Sequence, residues 1–277
     1  MKKLPKVSII ILNYKTFQDT LNIIDEIRTK LNYQNFDIIV VDNDSPNESY
    51  NELSAMSEKM NFYLVKSGKN GGYAFGNNVG IRYSYNLDSD YSWILNNDIV
   101  LNDPAALSEM IELMESNSKI GAISPIIMKP DGEEDFPFIS RPNVWEMSLG
   151  YLIYAKNRKK EHKENTRIYR PKGCCMLLRN TDMKQIGEMD ESTFLYCEED
   201  LLAERLLQIN KECWLCAATK VIHNHSKTIY TVLKKKNIAE CNVRSYKIYL
   251  KKYRKIKNPL VVGIICAVKY AVIYLKY

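Results

Sequence analysis

Trp93-Ile94-Leu95-Asn96-Asn97-Asp98-Ile99-Val100-Leu101 is an apolar run that breaks at three polar residues and then resumes. In a buried parallel strand such a break marks the carboxyl end, where an open α/β sheet places its ligand crevice. A carboxylate flanked by amides at that edge suits a hard divalent cation, because Mg²⁺ takes one or two protein carboxylates plus substrate phosphate oxygens. An ordinary strand-to-helix turn with Asx capping gives the same local pattern. What separates the two readings is the company this stretch keeps. Asn13-Tyr14 and Asp42-Asn43-Asp44-Ser45 also follow apolar runs, and His223 ends another. An acid ending the second strand of a βαβ unit often holds a ribose or base, although a solvated Asx turn reads the same way. A lone histidine is more often structural than a ligand, yet His223 just past a strand can reach a metal as neutral imidazole.

Two more stretches carry chemistry. Glu198-Glu199-Asp200 follows the aromatic pair Phe194 and Tyr196. If these carboxylates open a helix, they favour its positive N-terminus; alternatively one is held near an acceptor hydroxyl as a general base. Asn70–Gly80 is rich in glycine and asparagine but has neither the Gly-Lys-Ser/Thr of a P-loop nor G-x-G-x-x-G. Its glycines allow close backbone approach and its asparagines offer amides to sugar or phosphate.

The elements that must position these residues read as an alternating α/β chain. Val7–Leu12, Phe36–Val41, Phe62–Lys66, Ile120–Met128 and Gly173–Leu178 are strand candidates, with Cys213–Ala217 and Val221–Ile222 as two later ones. Leu21, Ile24, Ile27 and Leu31 recur at helical spacing, and Pro104 starts a helix with Leu107, Met110, Ile111 and Met114 on its apolar face. Leu202, Leu206 and Ile209 do the same after the acidic triplet. Residues 129–170 are polar and irregular, the pattern of a lid, an acceptor-binding insert or a mobile segment.

At 277 residues and 45% hydrophobic content the chain can bury a full core. Its net charge of +6 conceals an asymmetry. Residues 227–257 hold eleven Lys or Arg against Glu240, and 258–277 hold two Lys and no acid, leaving 26 basic and 32 acidic residues in 1–226. An anionic surface would therefore meet the protein at its C-terminal segment. Seven scattered cysteines, with one lone C-x-x-C at Cys213 and Cys216, suit buried residues in a reducing compartment rather than a zinc or disulfide framework. The apolar run after Lys2-Lys3 is short for a signal-peptide core, so the body is expected in the cytoplasm.

Taken in order, these pieces resemble the inverting nucleotide-sugar glycosyltransferases of family 2. They are Val7–Ile10 through Asn13-Tyr14, Val40–Asn43 with Ser45, the loop through Asn70, Gly72, Tyr73, Gly76, Asn78 and Gly80, and Leu95–Asp98. After these come Gly173 with Met176-Leu177, Ile186-Gly187 with Asp190-Glu191, Phe194-x-Tyr196-x-Glu198-Glu199, Arg205 and His223. The arrangement is most similar to the rhamnosyltransferase-like branch that builds bacterial surface polysaccharides such as O-antigen or capsule. The resemblance implies an α/β GT-A fold, a mixed, mostly parallel sheet with helices on both faces, over residues 1–228, followed by a basic helical tail over 229–277. It implies donor-site roles for Asn13, Tyr14, Asp42, Asn43, Gly72, Tyr73, Gly76, Asn78, Asn96, Asn97 and Asp98. Gly173, Cys174 and Glu198 would face the acceptor, Asp98 and His223 would hold Mg²⁺ or Mn²⁺, and Glu199 would be the base, with Glu198 and Asp200 as alternates.

The implied activity is transfer of a sugar from a nucleoside-diphosphate donor, dTDP-rhamnose being one candidate, to a saccharide or polyprenyl-diphosphate-linked acceptor. Two other readings stand beside it: a non-catalytic nucleotide-sugar-binding scaffold of the same fold, and a nucleotidyltransferase. Against the latter stand the missing basic glycine-rich phosphate loop and the late acidic motif. The tail bears on location. Val243, Tyr246, Leu250, Tyr253 and Ile256 share one helical face, and Leu260–Leu275 is apolar except for Lys269. Sixteen residues of helix span about 24 Å, short of a bilayer core of roughly 30 Å. The tail is therefore expected to lie in the interface on the inner face of the membrane, anchored by basic residues and by Tyr270, Tyr274 and Tyr277. The alternative is a helical pair packed on the domain or on a second subunit. Nucleic acid is not expected as a partner, because no reading motif accompanies the charge.

Overall fold

The computed structural model describes residues 4–147, 162–224 and 235–276. The middle of the 129–170 insert, His225, Tyr277 and the expected boundary at 228 lie outside the described residues.

Continuous apolar runs give strands buried on both faces, and here each face has its own helical layer. In β1 (Val7–Asn13), Ile9 and Ile11 pack with Ile23, Ile24 and Ile27 of α1 (Phe17–Lys30) on one side. Ile10 points the other way, toward Ala74 and Ile81 of α3 (Tyr73–Asn86). Two further strands, β2 (Phe36–Asp42) and β3 (Tyr63–Lys66), extend the sheet on one side of β1, with α2 (Ser49–Ser57) between them in sequence. On its other side lies β4 (Tyr91–Leu95).

The remaining strands are β5 (Ile99–Val100), β6 (Ile120–Met128), β7 (Thr166–Ile168), β8 (Cys175–Arg179) and β9 (Glu212–His223). The nine-stranded order is β3-β2-β1-β4-β8-β6-β9-β5, with β7 on β9. From β3 to β4 the strands are parallel, as are β6 and β9; β8, β5 and β7 run antiparallel to their neighbours. The sheet is mixed with helices on both faces, as the resemblance implies. Three further helices flank it: α4 (Ala106–Ser116), α5 (Asn180–Ile186) and α6 (Glu198–Gln208).

Local differences from the sequence pattern have physical causes. The run Trp93–Leu101 becomes two strands, because a turn closed by Ile99 N–H on Asn96 O sends β5 across to β9. Cys213–Ala217 and Val221–Ile222 are parts of the single strand β9. The pairing with β6 jumps from Pro125↔Cys216 to Ile126↔Lys220, and Pro125, which has no N–H to donate, sits at that break. The irregular insert supplies β7. Helix α4 starts two residues after Pro104, at Ala106, where Asp103 Oδ1 has accepted the Ala105 N–H at 2.9 Å.

The tail forms α7 (Lys235–Ile248), a π-helical turn over Tyr249–Tyr253, and α8 (Pro259–Lys276). Tyr246, Tyr249, Leu250, Val262 and Ile265 are buried with Cys197 and Leu201, so the tail shares a small core with the start of α6. A polar chain deepens the attachment. Arg254 donates to Tyr249 Oη at 2.8 Å, the Tyr249 and Tyr169 hydroxyls lie 2.8 Å apart, and Tyr169 donates to Glu204 Oε1 at 2.7 Å. Leu260, Ile264 and Tyr274 of α8 face outward, exposed by 75%, 59% and 50%. Among the described residues no helix is long and apolar enough to cross a membrane.

Candidate active site

Strand register alone assembles the site. Parallel pairing of β1 with β2 sets Asn13 beside Asp42 at the carboxyl ends of both strands. Asn13 Nδ2 donates to Asp42 Oδ2 at 2.8 Å, and the other Asp42 oxygen accepts the Ser45 N–H at 2.9 Å. Thr20 donates to Asn13 Oδ1 at 3.0 Å and accepts from Asn97 Nδ2 at 3.0 Å. A buried chain Asp42–Asn13–Thr20–Asn97 thus ties the β1 and β2 ends to the turn after β4. Tyr14 lies beside it with the Lys15 ammonium 5.1 Å from its ring centre.

The glycine loop closes on the same corner. Asn43 Nδ2 donates to Asn70 Oδ1 and to Gly72 O at 3.1 and 3.3 Å. Gly72 has φ +91° and a Cβ there would collide with the Phe194 carbonyl, so only glycine fits. Gly76 lets α3 approach Leu12 and Asn43 closely. Asn78 is elsewhere. Its amide is consumed by Met189 N–H, Met189 O and Glu191 Oε1 at 2.9 to 3.0 Å, so it holds the 189–191 segment rather than opening on the crevice.

Two antiparallel pairings complete the constellation. Leu95↔Cys175 brings the residues before β8 against the turn after β4, and Asn96 N–H donates to Cys174 O at 2.9 Å. Ile99↔His223 brings His223 Nε2 to 3.2 Å from Asp98 Oδ2. Gly173 then meets two further motifs at once: its N–H donates to Glu199 Oε1 at 3.2 Å, and its carbonyl accepts from the Tyr73 hydroxyl. Base candidate, glycine loop and Asn96–Asp98 turn are joined through the dipeptide Gly173-Cys174.

Residues 8–187 match Glycosyl transferase family 2. The chain belongs to that family. This family 2 chain is 30% identical over 222 residues to the low-salt glycan biosynthesis hexosyltransferase Agl10 of Haloferax volcanii, covering 80% of this chain and 68% of that protein. It is 24% identical over 209 residues to the N-acetylglucosaminyl-diphospho-decaprenol L-rhamnosyltransferase of Mycobacterium tuberculosis, covering 68% of this chain and 66% of that one. Among solved structures it resembles the mannosyltransferase PcManGT from Pyrobaculum calidifontis in complex with GDP-Man and Mn²⁺ (TM-score 0.63, 15% identity, 97% of this chain and 70% of that one). It also resembles GalNAc-T7 with UDP, GalNAc and Mn²⁺ (TM-score 0.61, 12% identity, 99% of this chain and 55% of that one). The fold is GT-A, and the chain is a glycosyltransferase of the family 2 type.

The three consecutive acids of this glycosyltransferase differ in surroundings. Glu199 is partly exposed, on Gly173, with Arg170 Nη1 3.5 Å from its other oxygen. Asp200 lies 3.2 Å from Arg170 Nε; burial raises its carboxyl and the guanidinium opposes that rise. Glu198 is 4% exposed, and among the described residues its Oε1 has no hydrogen-bond partner. Burial first, and the Glu199 carboxylate second, push the Glu198 carboxyl up to about 8. That rise favours the protonated form of Glu198, whereas Glu199 is the acid that reaches Gly173. Burial also pushes the Cys174 thiol well up, which removes it as a nucleophile.

Several participants escaped the sequence reading. Arg170 stacks on the Phe138 ring at 4.1 Å while holding Glu199 and Asp200, and Lys172 pairs with Asp135 at 2.6 Å. Their only signal was two basic residues just before Gly173. From the tail, Lys252 Nζ donates to Asp190 Oδ2 at 2.6 Å and Tyr253 donates to the same oxygen. Burial opposes ionisation of Asp190, but those bonds and Ser192 outweigh it and hold the carboxyl well below the usual range.

A Cβ at Gly173 would lie 2.6 Å from Glu199 Oε1, the far end of a flexible side chain. Gly173→Ala should therefore displace the carboxylate without unfolding the chain: turnover falls ~10–100-fold, a part of the ~10²–10⁴-fold a general base contributes, while the circular dichroism spectrum and Tm stay near wild type. For Glu198 the folded-state value lies above the unfolded one. Its stabilising contribution is complete below about pH 4 and is lost as pH rises through about 8. The Tm advantage of Glu198→Gln over wild type should grow between pH 5 and pH 8.5; a constant difference would contradict a buried neutral acid.

Proposed function

We propose that the chain is an inverting, metal-dependent hexosyltransferase that uses a nucleoside-diphosphate sugar, with dTDP-rhamnose a candidate donor. The observation that carries this reading is the Gly173-Cys174 junction, which holds Glu199 on one side and the Asn96–Asp98 turn on the other. Donor and acceptor would meet across it. Glu199 takes the proton of the acceptor hydroxyl as its oxygen bonds to the anomeric carbon. The bond from that carbon to the diphosphate breaks in the same displacement, and its electrons leave with the nucleoside diphosphate. Asn13, Asp42 and Asn97 keep the corner that receives the nucleotide rigid, so orientation is set before chemistry.

Asp98 and His223 fit a divalent cation as an incomplete donor set. Among the described residues no third His, Cys, Asp or Glu joins them. That matches a cation shared with substrate phosphates rather than one fully caged by protein. When bound, Mg²⁺ or Mn²⁺ would offset the charge of the departing diphosphate. Both solved structures named above are complexes with Mn²⁺. Glu199→Gln should reduce turnover ~10²–10⁴-fold while a nucleoside diphosphate still raises Tm. Asp98→Ala should lose both the transfer and the Mn²⁺-dependent part of that stabilisation. Full activity in Asp98→Ala, or in wild type with EDTA, contradicts the assignment.

The acceptor in this reading is a saccharide, lipid-linked as in the name of the mycobacterial relative, and the tail meets the inner membrane surface. Support comes from α8, where outward-facing Leu260, Ile264 and Tyr274 adjoin a segment with exposed Lys247, Lys251, Lys255 and Lys257. The tail shares a core with α6, so point variants test this better than truncation. Full-length protein should sediment with vesicles containing anionic lipid at low salt, and Leu260→Glu with Ile264→Glu should remain in the supernatant with unchanged Tm. Equal sedimentation of the two proteins contradicts the membrane role.

A further inference from the structure

The chain leaves β6 at its carboxyl end and doubles back on it. Met128 and Glu134 form an antiparallel bridge, Asp135 N–H donates to Ile127 O at 2.8 Å, and Phe138 bridges to Arg170. This short segment touches two places. Asp135 binds Lys172, the residue before Gly173, at 2.6 Å, and the Phe138 ring carries the Arg170 guanidinium that pairs with Glu199. Glu134 and Phe136 line a separate cavity of about 520 Å³, together with Met128, His162, Lys163 and Lys220. That volume is within the roughly 300–1,000 Å³ usual for small-molecule sites.

The cavity is on the crevice edge of the sheet. Met128 and Lys220 belong to the carboxyl ends of β6 and β9, and Met128 is in register with Ile222, the residue before His223. Its chemistry is specific. Glu134 is only 9% exposed and lies 2.8 Å from His162 Nδ1. The Phe136 and His162 rings, 6.2 Å apart and inclined at 56°, stand as two walls. A buried carboxylate–imidazole pair is costly to desolvate, and the transfer chemistry does not use this one. Aromatic faces pack the C–H faces of a pyranose, while a carboxylate and an imidazole bind its hydroxyls. Glu133 and Glu134 offset Lys163 and Lys220 in the same lining, so it carries no excess positive charge for a phosphate or other dianion.

We propose that this cavity is a subsite for a neutral saccharide ring of the acceptor, beyond the unit whose hydroxyl faces Glu199. The inference rests on the transferase reading of Glu199 and extends it along the acceptor. The segment 133–138 then has two functions, seating a distal sugar and bracing the base through Phe138 and Arg170.

Saturation-transfer NMR on the full chain tests it, with methyl glycosides of glucose, galactose, mannose, rhamnose and N-acetylglucosamine as probes. UDP, GDP and dTDP with MnCl₂ serve as the donor-side control. At least one glycoside should receive saturation from wild type. Phe136→Ala, through lost ring packing, and Glu134→Gln, through a lost hydrogen bond, should each weaken that binding by about five-fold or more, with nucleotide binding unchanged. Glu199→Gln should keep the glycoside signal. If no glycoside binds while a nucleotide does, or if both cavity variants bind glycoside as wild type does, the subsite is wrong and the transferase reading stands. If no nucleotide binds, it is that reading which fails, and the subsite falls with it.

Discussion

Gly173 is the residue with no room to spare. Its N–H holds Glu199, its carbonyl holds Tyr73, its neighbour's carbonyl holds the Asn96 amide, and its missing Cβ leaves the space that Glu199 Oε1 occupies. Stretches around residues 73, 96 and 199 meet there on the backbone groups of Gly173 and Cys174, which cannot drift as side chains do. The Glu199 carboxylate is thereby positioned relative to the Asp98 turn by the sheet itself. Preorganisation of this kind lets a single base act without reorganising the protein at the moment of reaction.

The sheet can do this because its middle is antiparallel. In the parallel half, β1, β2 and β4 deliver Asn13, Asp42 and Asn96 to one edge as strand ends. The strand β8 runs the other way, so the chain enters it at that same edge and presents Gly173 and Cys174 there. The short β5 then turns Asp98 toward β9 and His223. Each reversal brings a motif that is late in sequence to the crevice formed by early ones. The tail adds a second attachment at the rear of the acidic segment, through Lys252 and Tyr253 on Asp190 and through Leu201 in the shared core. The tail and the acidic segment are thus mechanically connected.

Strand positions and strand-end chemistry were readable because burial on both faces demands unbroken apolar runs and the crevice demands that they stop. Val7–Leu12 and Ile120–Met128 are read to within a residue, and Asn96–Asp98 marks its turn correctly. What the pattern hides are pairings set by register. Nothing local shows that Ile99–Val100 leaves its run to join β9, or that Cys213–Ala217 and Val221–Ile222 are one strand whose pairing breaks opposite Pro125. Polar residues also look alike before folding: Asn78 reads as a donor ligand but is spent on Met189 and Glu191. Arg170 sits in a polar stretch with no periodicity, so only the fold shows that it neutralises two of three adjacent acids.

Of the three adjacent acids Glu199 is the one held on Gly173, while Glu198 is buried and Asp200 is paired with Arg170. The proposed reading gives such a site a single displacement. The most direct measurement is the anomeric configuration of the first transfer product, read from its proton NMR couplings before mutarotation or secondary transfer. The account predicts the configuration opposite to that of the donor. Retention of the donor's configuration would contradict it.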